Sequence, residues 1–330
     1  MPENFQSPAK ILIRKEWSKK LIEFVKRKLQ KKIIYLGLPS PDAKDILEWI
    51  DSLDGVIAFQ CRDYRHRSAR EQSRKAVDTL EKQLDKLIRQ KKIETFAVYD
   101  GYIEEVILRG RDNSDIDFRQ DDVITVYNLD FCNQITSPIK FVDKEGNIEE
   151  AFKFDAIHEL LKYQRSIKNQ SKKFIMFLTI HCGYEGKELE NFINHHHDSG
   201  ISSYHNNIKK LPDKSLKKPR FLKSYMLDSL KEYFKTQGFI PEFLPVIYYQ
   251  GVGGNKLLHF TIFGTGMPEK TGTASFFQDI PELLKQKFIT VLDNKFELLK
   301  EGNIEENDVQ LNPTEIFSKS KTYKKYWIKK

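Results

Sequence analysis

"PEFLPVIYYQGVGGNKLLHFTIFGTGM", residues 241–267, reads as two apolar strands folded back on one another. Gly253, Gly254 and Asn255 supply the turn, because glycine and asparagine accept backbone conformations that β-branched residues refuse. The stretch decides the fold because of what precedes it. Upstream, short apolar runs occur at "IIYLGL" (33–38), "GVIAFQ" (55–60), "TFAVYDG" (95–101), "VITVYNLDF" (123–131) and "KFIMFLTIHC" (173–182). Helical spacing lies between and around them, as in Trp17, Leu21, Val25 and Leu29, or Val77, Leu80, Leu84, Leu87 and Ile88. Strands that are apolar throughout, rather than on alternate residues, must be covered on both faces, which is the mark of a parallel sheet between helices. A hairpin appended to such a sheet sets its last strand antiparallel to its neighbour. The expected fold class is therefore α/β, a doubly wound, mostly parallel seven-stranded sheet with a C-terminal antiparallel hairpin and helices on both faces.

Length and composition bound the rest. The 330 residues are 39% hydrophobic, enough for one large domain with insertions. The expected division is a basic N-terminal helix over 1–32, an α/β domain over 33–302 with a hairpin insertion at 136–154, and a basic tail over 303–330. No run approaches the roughly 20 apolar residues that span a bilayer, and "MPENFQSPAK" lacks the apolar core of a secretory leader. A cytoplasmic protein without membrane contact is the expectation. Cys61, Cys132 and Cys182 form no CxxC pair and are read as small buried residues of a reducing compartment.

The net charge of +8 is gathered in clusters. Lys209, Lys210, Lys217, Lys218, Arg220, Lys324 and Lys325 would serve a nucleic-acid partner through counterion release. The plainer reading is a lysine-rich solvated surface, since no RNP, zinc-finger or helix-turn-helix signature accompanies them.

"VYNLDF" (126–131) poses the functional question. Asn128 and Asp130 interrupt the end of a central strand, and a carboxylate after a buried strand needs a partner. An Asn or Asp there also caps a helix or holds a turn through its own side chain. Open α/β sheets bind ligands at the carboxyl ends of their strands, which is where these residues fall.

Five parallel strands, a helix and then a hairpin resemble the class I S-adenosylmethionine-dependent methyltransferases over about residues 30–267. The resemblance implies S-adenosylmethionine as cofactor. It assigns Gly37, Ser40 and Asp42 to the turn after the first strand, Gln60 and Asp63 to the ribose side after the second, and Asp100 and Gly101 to the adenine side after the third. It also implies that Asn128-Leu129-Asp130-Phe131 stands where amino-group methyltransferases hold the target amine: Asn128 and Asp130 orient the nucleophile and Phe131 packs on it. The departures are a turn with one glycine and two prolines, Gln60 in place of an acid, and a fourth-strand motif without prolines. The expected activity is methyl transfer to an amino group of nucleic acid. The alternative is a catalytically degenerate subunit that binds nucleic acid or a partner protein in a larger assembly, such as one directed at foreign nucleic acid.

Other stretches are expected to be structural. "NHHHDSG" (194–200) lacks the ligand spacing of a helical metal site and is read as a polar loop, with no metal. "RDNSDIDFRQDD" (111–122) has no calcium-loop pattern and is read as a solvated loop away from the carboxyl edge. Asp143–Gly146 is expected to turn the inserted hairpin.

Overall fold

A computed structural model describes residues 7–60, 67–143, 145–168, 172–196, 200–210, 216–266, 288–292, 295–299 and 310–311. The chain enters through α1 (Pro8–Leu12), a π-helical stretch (Ile13–Ser18) and α2 (Lys19–Leu29). Then come β1 (Ile34–Gly37), α3 (Lys44–Trp49), β2 (Gly55–Gln60), α4 (Arg67–Arg89), β3 (Thr95–Asp100), α5 (Ile103–Arg109) and β4 (Val126–Gln134). A small hairpin, β5 (Ile139–Val142) and β6 (Ile148–Ala151), leads to α6 (Lys153–Ser166) and β7 (Lys173–His181). Helices α7 (Gly186–His196), α8 (Gly200–Lys209) and α9 (Lys217–Thr236) precede β8 (Phe239–Phe243), β9 (Val246–Gln250) and β10 (Lys256–Gly266). Beyond them lie β11 (Phe288–Leu292), β12 (Lys295–Leu299) and β13 (Gln310–Leu311).

The sheet runs β13-β12-β11-β9-β10-β7-β4-β1-β2-β3, with β8 also paired to β10. Strands β1, β2, β3, β4 and β7 are mutually parallel, and β10 is antiparallel to β7 across nine register partners from Leu257↔His181 to Thr265↔Lys173. β8 and β9 pair with opposite ends of β10 and act as one strand broken at Leu244-Pro245, where proline has no N–H to offer. This is the α/β layout the opening hairpin implies, a parallel sheet closed by an antiparallel strand. Gly253 and Gly254 take φ of 70° and 81° in the turn, and the Gly251 N–H donates to the Asn255 carbonyl at 2.7 Å. The class I methyltransferase-like strand layout is thus present in the chain itself. At the β9 edge the sheet continues for three more strands, β11 pairing in parallel with β9. "FITVL" (288–292) and "KFELL" (295–299) carry the apolar signal of two of these strands.

The two faces of the sheet carry separate cores, and β4 shows how the alternation sorts them. Tyr127, Leu129 and Phe131 join Leu36, Met176, Leu178, α5, α6 and α9 in one core. Val126 joins Tyr35, Val56, Ile175 and Phe177 in the other, under the N-terminal helices, α3 and α4. Trp17, Leu21, Ile22, Phe24 and Val25 are all fully buried there. The Trp17 indole N–H donates to Thr261 Oγ1 at 2.9 Å, and Phe24 meets Phe263 edge-on at 6.4 Å. The basic helix read at the N-terminus is therefore a wall of the core, with Lys15 and Arg27 exposed on its outer side.

Helix α3 starts at Lys44, because Ala43 adopts a left-handed conformation (φ 52°) and turns the chain first. One local reading is corrected. The aspartate-rich loop does not stay away from the carboxyl edge: the Asp100 N–H donates to Asp112 Oδ2 at 3.1 Å and the Asn113 N–H to the Asp100 carbonyl at 2.8 Å. Asp112 is buried because its other oxygen takes the Ser114 and Ile116 N–H groups, folding the loop onto the end of β3.

Candidate functional site at the end of the fourth strand

β4 loses its register with β7 between Asp130 and Gln134, a bulge at the carboxyl edge of the sheet. Bulges re-aim side chains and gather beside sites. Asn128 and Asp130 lie before it, on the face covered by the N-terminal helices. The Asn128 amide donates to Asp45 Oδ2 at 3.1 Å and to the Tyr35 hydroxyl at 3.4 Å. Asp45 is paired with the Arg14 guanidinium, and Asp130 with the Lys10 ammonium. The Trp49 indole N–H holds the Arg14 carbonyl at 3.1 Å, which pins the π-helical stretch over the cluster. Thr179, Tyr249 and His259 complete the wall of a small cavity of about 30 Å³, room for a water or two.

The electrostatics follow from burial. Desolvation raises the Asp45 carboxyl above its ordinary range, with Arg14 pulling it back and Asp130 pushing it further up. Burial drives the Tyr35 and Tyr249 hydroxyls well up, so both are neutral donors and acceptors. Burial pulls His259 down to about 4, against a small opposing pull from Asp130, and its Nδ1 sits 2.9 Å from Thr179 Oγ1. Two carboxylates thus face two cations from one helical segment in a nearly dry setting. Such pairs persist because removing one partner strands a buried charge.

The candidate residues separate into groups. Asn128 and Asp130 line one cavity. Phe131 does not join them: it is buried on the opposite face, with the Lys153 ammonium 5.8 Å from its ring centre. Below it Lys153 reaches the Ser137 carbonyl at 3.0 Å and Glu104 at 3.8 Å in a buried pair that no local pattern announces. Gly37 lies against β4, where a Cβ would stand 2.5 Å from the Asn128 carbonyl oxygen. Close approach of two strands accounts for that glycine. Ser40 accepts from Lys44 N–H at 3.4 Å, and Asp42 faces solvent beside Lys44 at 3.6 Å. Gln60 donates to the Pro39 carbonyl, tying the turn after β1 to the end of β2. Gln60 and Asp100 are register partners, so their side chains leave adjacent strands at one height. Gly101 (φ 152°) lets the chain turn there, and a Cβ would meet Val106 at 2.9 Å. Asp63 and Cys61 lie outside the described residues, as do Lys324 and Lys325.

Lys10, Arg14 and Asp45 are the members that sequence reasoning missed. Arg14 and Lys10 sit on one helical face four residues apart, but a basic helix gives no sign of which charges turn inward. Cys182 is buried, and burial pushes its thiol up to about 12. The basic residues of α8 and α9 meet at one corner, where Lys217 donates to the Lys209 carbonyl at 2.7 Å and Lys218 to the Tyr184 carbonyl at 2.7 Å; Lys209, Lys210 and Lys218 are exposed.

The family described as PP_RS20740-like matches residues 4–205. No curated protein matches the chain. Among solved structures, the chain is similar to the O-methyltransferase TomG from Streptomyces achromogenes, solved with SAM, at 10% identity over 75% of this chain and 79% of that one, with a TM-score of 0.34. It is also similar to an O-methyltransferase from Bacillus cereus solved with SAH, at 9% identity over 79% and 83%, with a TM-score of 0.33. The fold assignment rests on the strand order described above. No helix among the described residues is long and apolar enough to cross a membrane.

Proposed function

The chain belongs to the PP_RS20740-like family, and on its methyltransferase-like sheet we propose that the carboxyl edge binds S-adenosylmethionine and presents a nucleic-acid amino group to it. The observation that carries the reading is the Lys10–Asp130 pair beside Asn128, an amine held against the end of β4. That acid already holds an amine, and a target amine entering from solvent would replace Lys10 there.

In this reading Gln60 and Asp100, side by side at the ends of β2 and β3, face the ribose and adenine groups. When bound, S-adenosylmethionine supplies an electrophilic methyl group. Asn128 and Asp130 orient the amine lone pair, Asp130 takes the proton the amine sheds, and the N-terminal helices keep water out. Phe131, on the far face, supports β4 without touching the nucleophile.

The test is calorimetric titration of the purified chain with S-adenosylmethionine and S-adenosylhomocysteine. Micromolar binding supports the reading. Asp130→Asn should then retain the cofactor and lose methyl transfer by about 100-fold, the usual worth of a positioned acid or base. No heat at millimolar ligand sinks it.

A second reading has its own observation. Lys10 and Arg14 already neutralise Asp130 and Asp45, leaving a cavity of about 30 Å³. A chain whose site is filled by its own helix suits a non-catalytic subunit that binds nucleic acid or a partner protein, and a silent titration would select it.

A further inference from the structure

We propose that Asp155, His195 and His196 form a binding site for one divalent transition-metal ion, with zinc as its simplest occupant. The site lies apart from the β4 cluster, where the C-terminal end of α7 meets the N-terminal end of α6, and it stands whether or not the methyl-transfer reading does.

His195 Nε2 lies 3.0 Å from Asp155 Oδ2, and His196 Nε2 lies 3.4 Å from Asp155 Oδ1. One ligand atom from each residue falls within 4.8 Å of the other two. A tetrahedral centre with bonds of about 2.0 Å sets its ligand atoms about 3.3 Å apart, so these atoms need move little to share one ion. Two imidazoles and a carboxylate are a donor set suited to first-row divalent metals.

The hydrogen bonding around the cluster points the same way. His196 Nδ1 is 3.0 Å from the Phe192 carbonyl, which only accepts, so Nδ1 donates there and Nε2 is the atom turned toward Asp155. That Nε2 is buried and makes no hydrogen bond, in a side chain only 7% exposed. It faces a carboxylate oxygen 3.4 Å away, the second ligand atom for a shared cation. A ligating histidine that gives its other N–H to a backbone carbonyl is the arrangement metal sites use to fix ring and tautomer. The remaining parts are fixed too. The Phe152 N–H donates to Asp155 Oδ2 at 2.8 Å, and the rings of Phe152, Phe154 and Phe192 surround His196 at 5.4, 5.7 and 4.5 Å. His195 is more exposed, which leaves a side open for the ion to enter and for water to complete the shell.

The reading of "NHHHDSG" as a mere polar loop is therefore revised for its first half. His195 and His196 end α7, and adjacent histidines reach one point because the third ligand comes from a different helix. No ligand spacing within the motif shows that.

The experiment titrates ZnCl₂ into the full chain after stripping with a chelator, followed by calorimetry. One equivalent should bind, and His195→Gln and His196→Gln should each weaken it by more than about 10-fold. His195→Gln alters an exposed position and guards against a folding artefact at His196, with circular dichroism as the check. X-ray absorption of the loaded protein should show a nitrogen and oxygen shell at about 2.0–2.1 Å without sulfur. Absence of saturable binding, or binding unchanged in the double variant, overturns the proposal and leaves the cluster as a contact between α6 and α7.

Discussion

His259 is the most telling single residue of the β4 cluster. It stands among Thr179, Tyr249, Asp130 and Lys10, and burial holds its pKa at about 4 against an ordinary 6.5. The fold accepts the neutral ring, whereas the unfolded chain protonates it below about pH 6.5. Stability should therefore fall as pH drops from about 6.5 to about 4, by about 3 kcal/mol in all, and be flat with respect to this group above 6.5. Denaturant midpoints measured across that window, for the parent chain and His259→Gln, check this: the variant should lose most of the slope. At the same scale, the sequence shows why Asn128 and Asp130 stand out, since polar groups ending an apolar strand have few uses. It cannot show their partners. Lys10, Arg14 and Asp45 lie 31 to 120 positions from the residues they meet, with no spacing rule to connect them.

Among the elements, the N-terminal helices carry the clearest energetic claim. Trp17 is fully buried, packs its ring 5.8 Å from that of Phe296 and hydrogen-bonds Thr261. Trp17→Ala should cost about 3–5 kcal/mol, the sum of lost burial and an unfilled cavity. Trp17→Phe should cost less, about 1–3 kcal/mol, chiefly from the Thr261 hydroxyl left without its donor. Chemical denaturation measures both, and an unchanged midpoint in Trp17→Ala would mean the helices are not docked. Elements were legible where periodicity was strong: the parallel strands and the glycine turn before β10 follow from pattern and turn chemistry alone. The start of α3 was not, because a left-handed Ala43 leaves no mark in the residue code. Phe131 was misplaced for an elementary reason, that neighbours along a strand face opposite ways, which the family motif obscured.

Across the whole molecule, the charge distribution makes the nucleic-acid reading testable. Lys209, Lys210, Lys217 and Lys218 converge at the α8–α9 corner although eight positions divide the two pairs. If that corner holds phosphates, replacing all four by alanine should reduce the slope of log affinity against log salt by about three. Fluorescence anisotropy with a labelled oligonucleotide over a salt series measures it. An unchanged slope would place the contact elsewhere, and no binding at low salt would remove nucleic acid as a partner. The α/β class was legible at this scale, since it needs only the alternation of runs. Of the edge strands, β11 and β12 have apolar runs that could be read as strands, while β13, two residues long, has none.

The bond between Trp17 and Thr261 also has a consequence in time. Its partners are 244 residues apart, so α1, the π-helical stretch and α2 must wait for β10 before the burial of their apolar face is complete. At 5–20 residues per second that interval is roughly 12–50 s. For its whole length the nascent chain carries a basic, amphipathic segment whose cover is incomplete, and a chaperone able to hold such a helix should raise the yield of folded protein more than one acting after release.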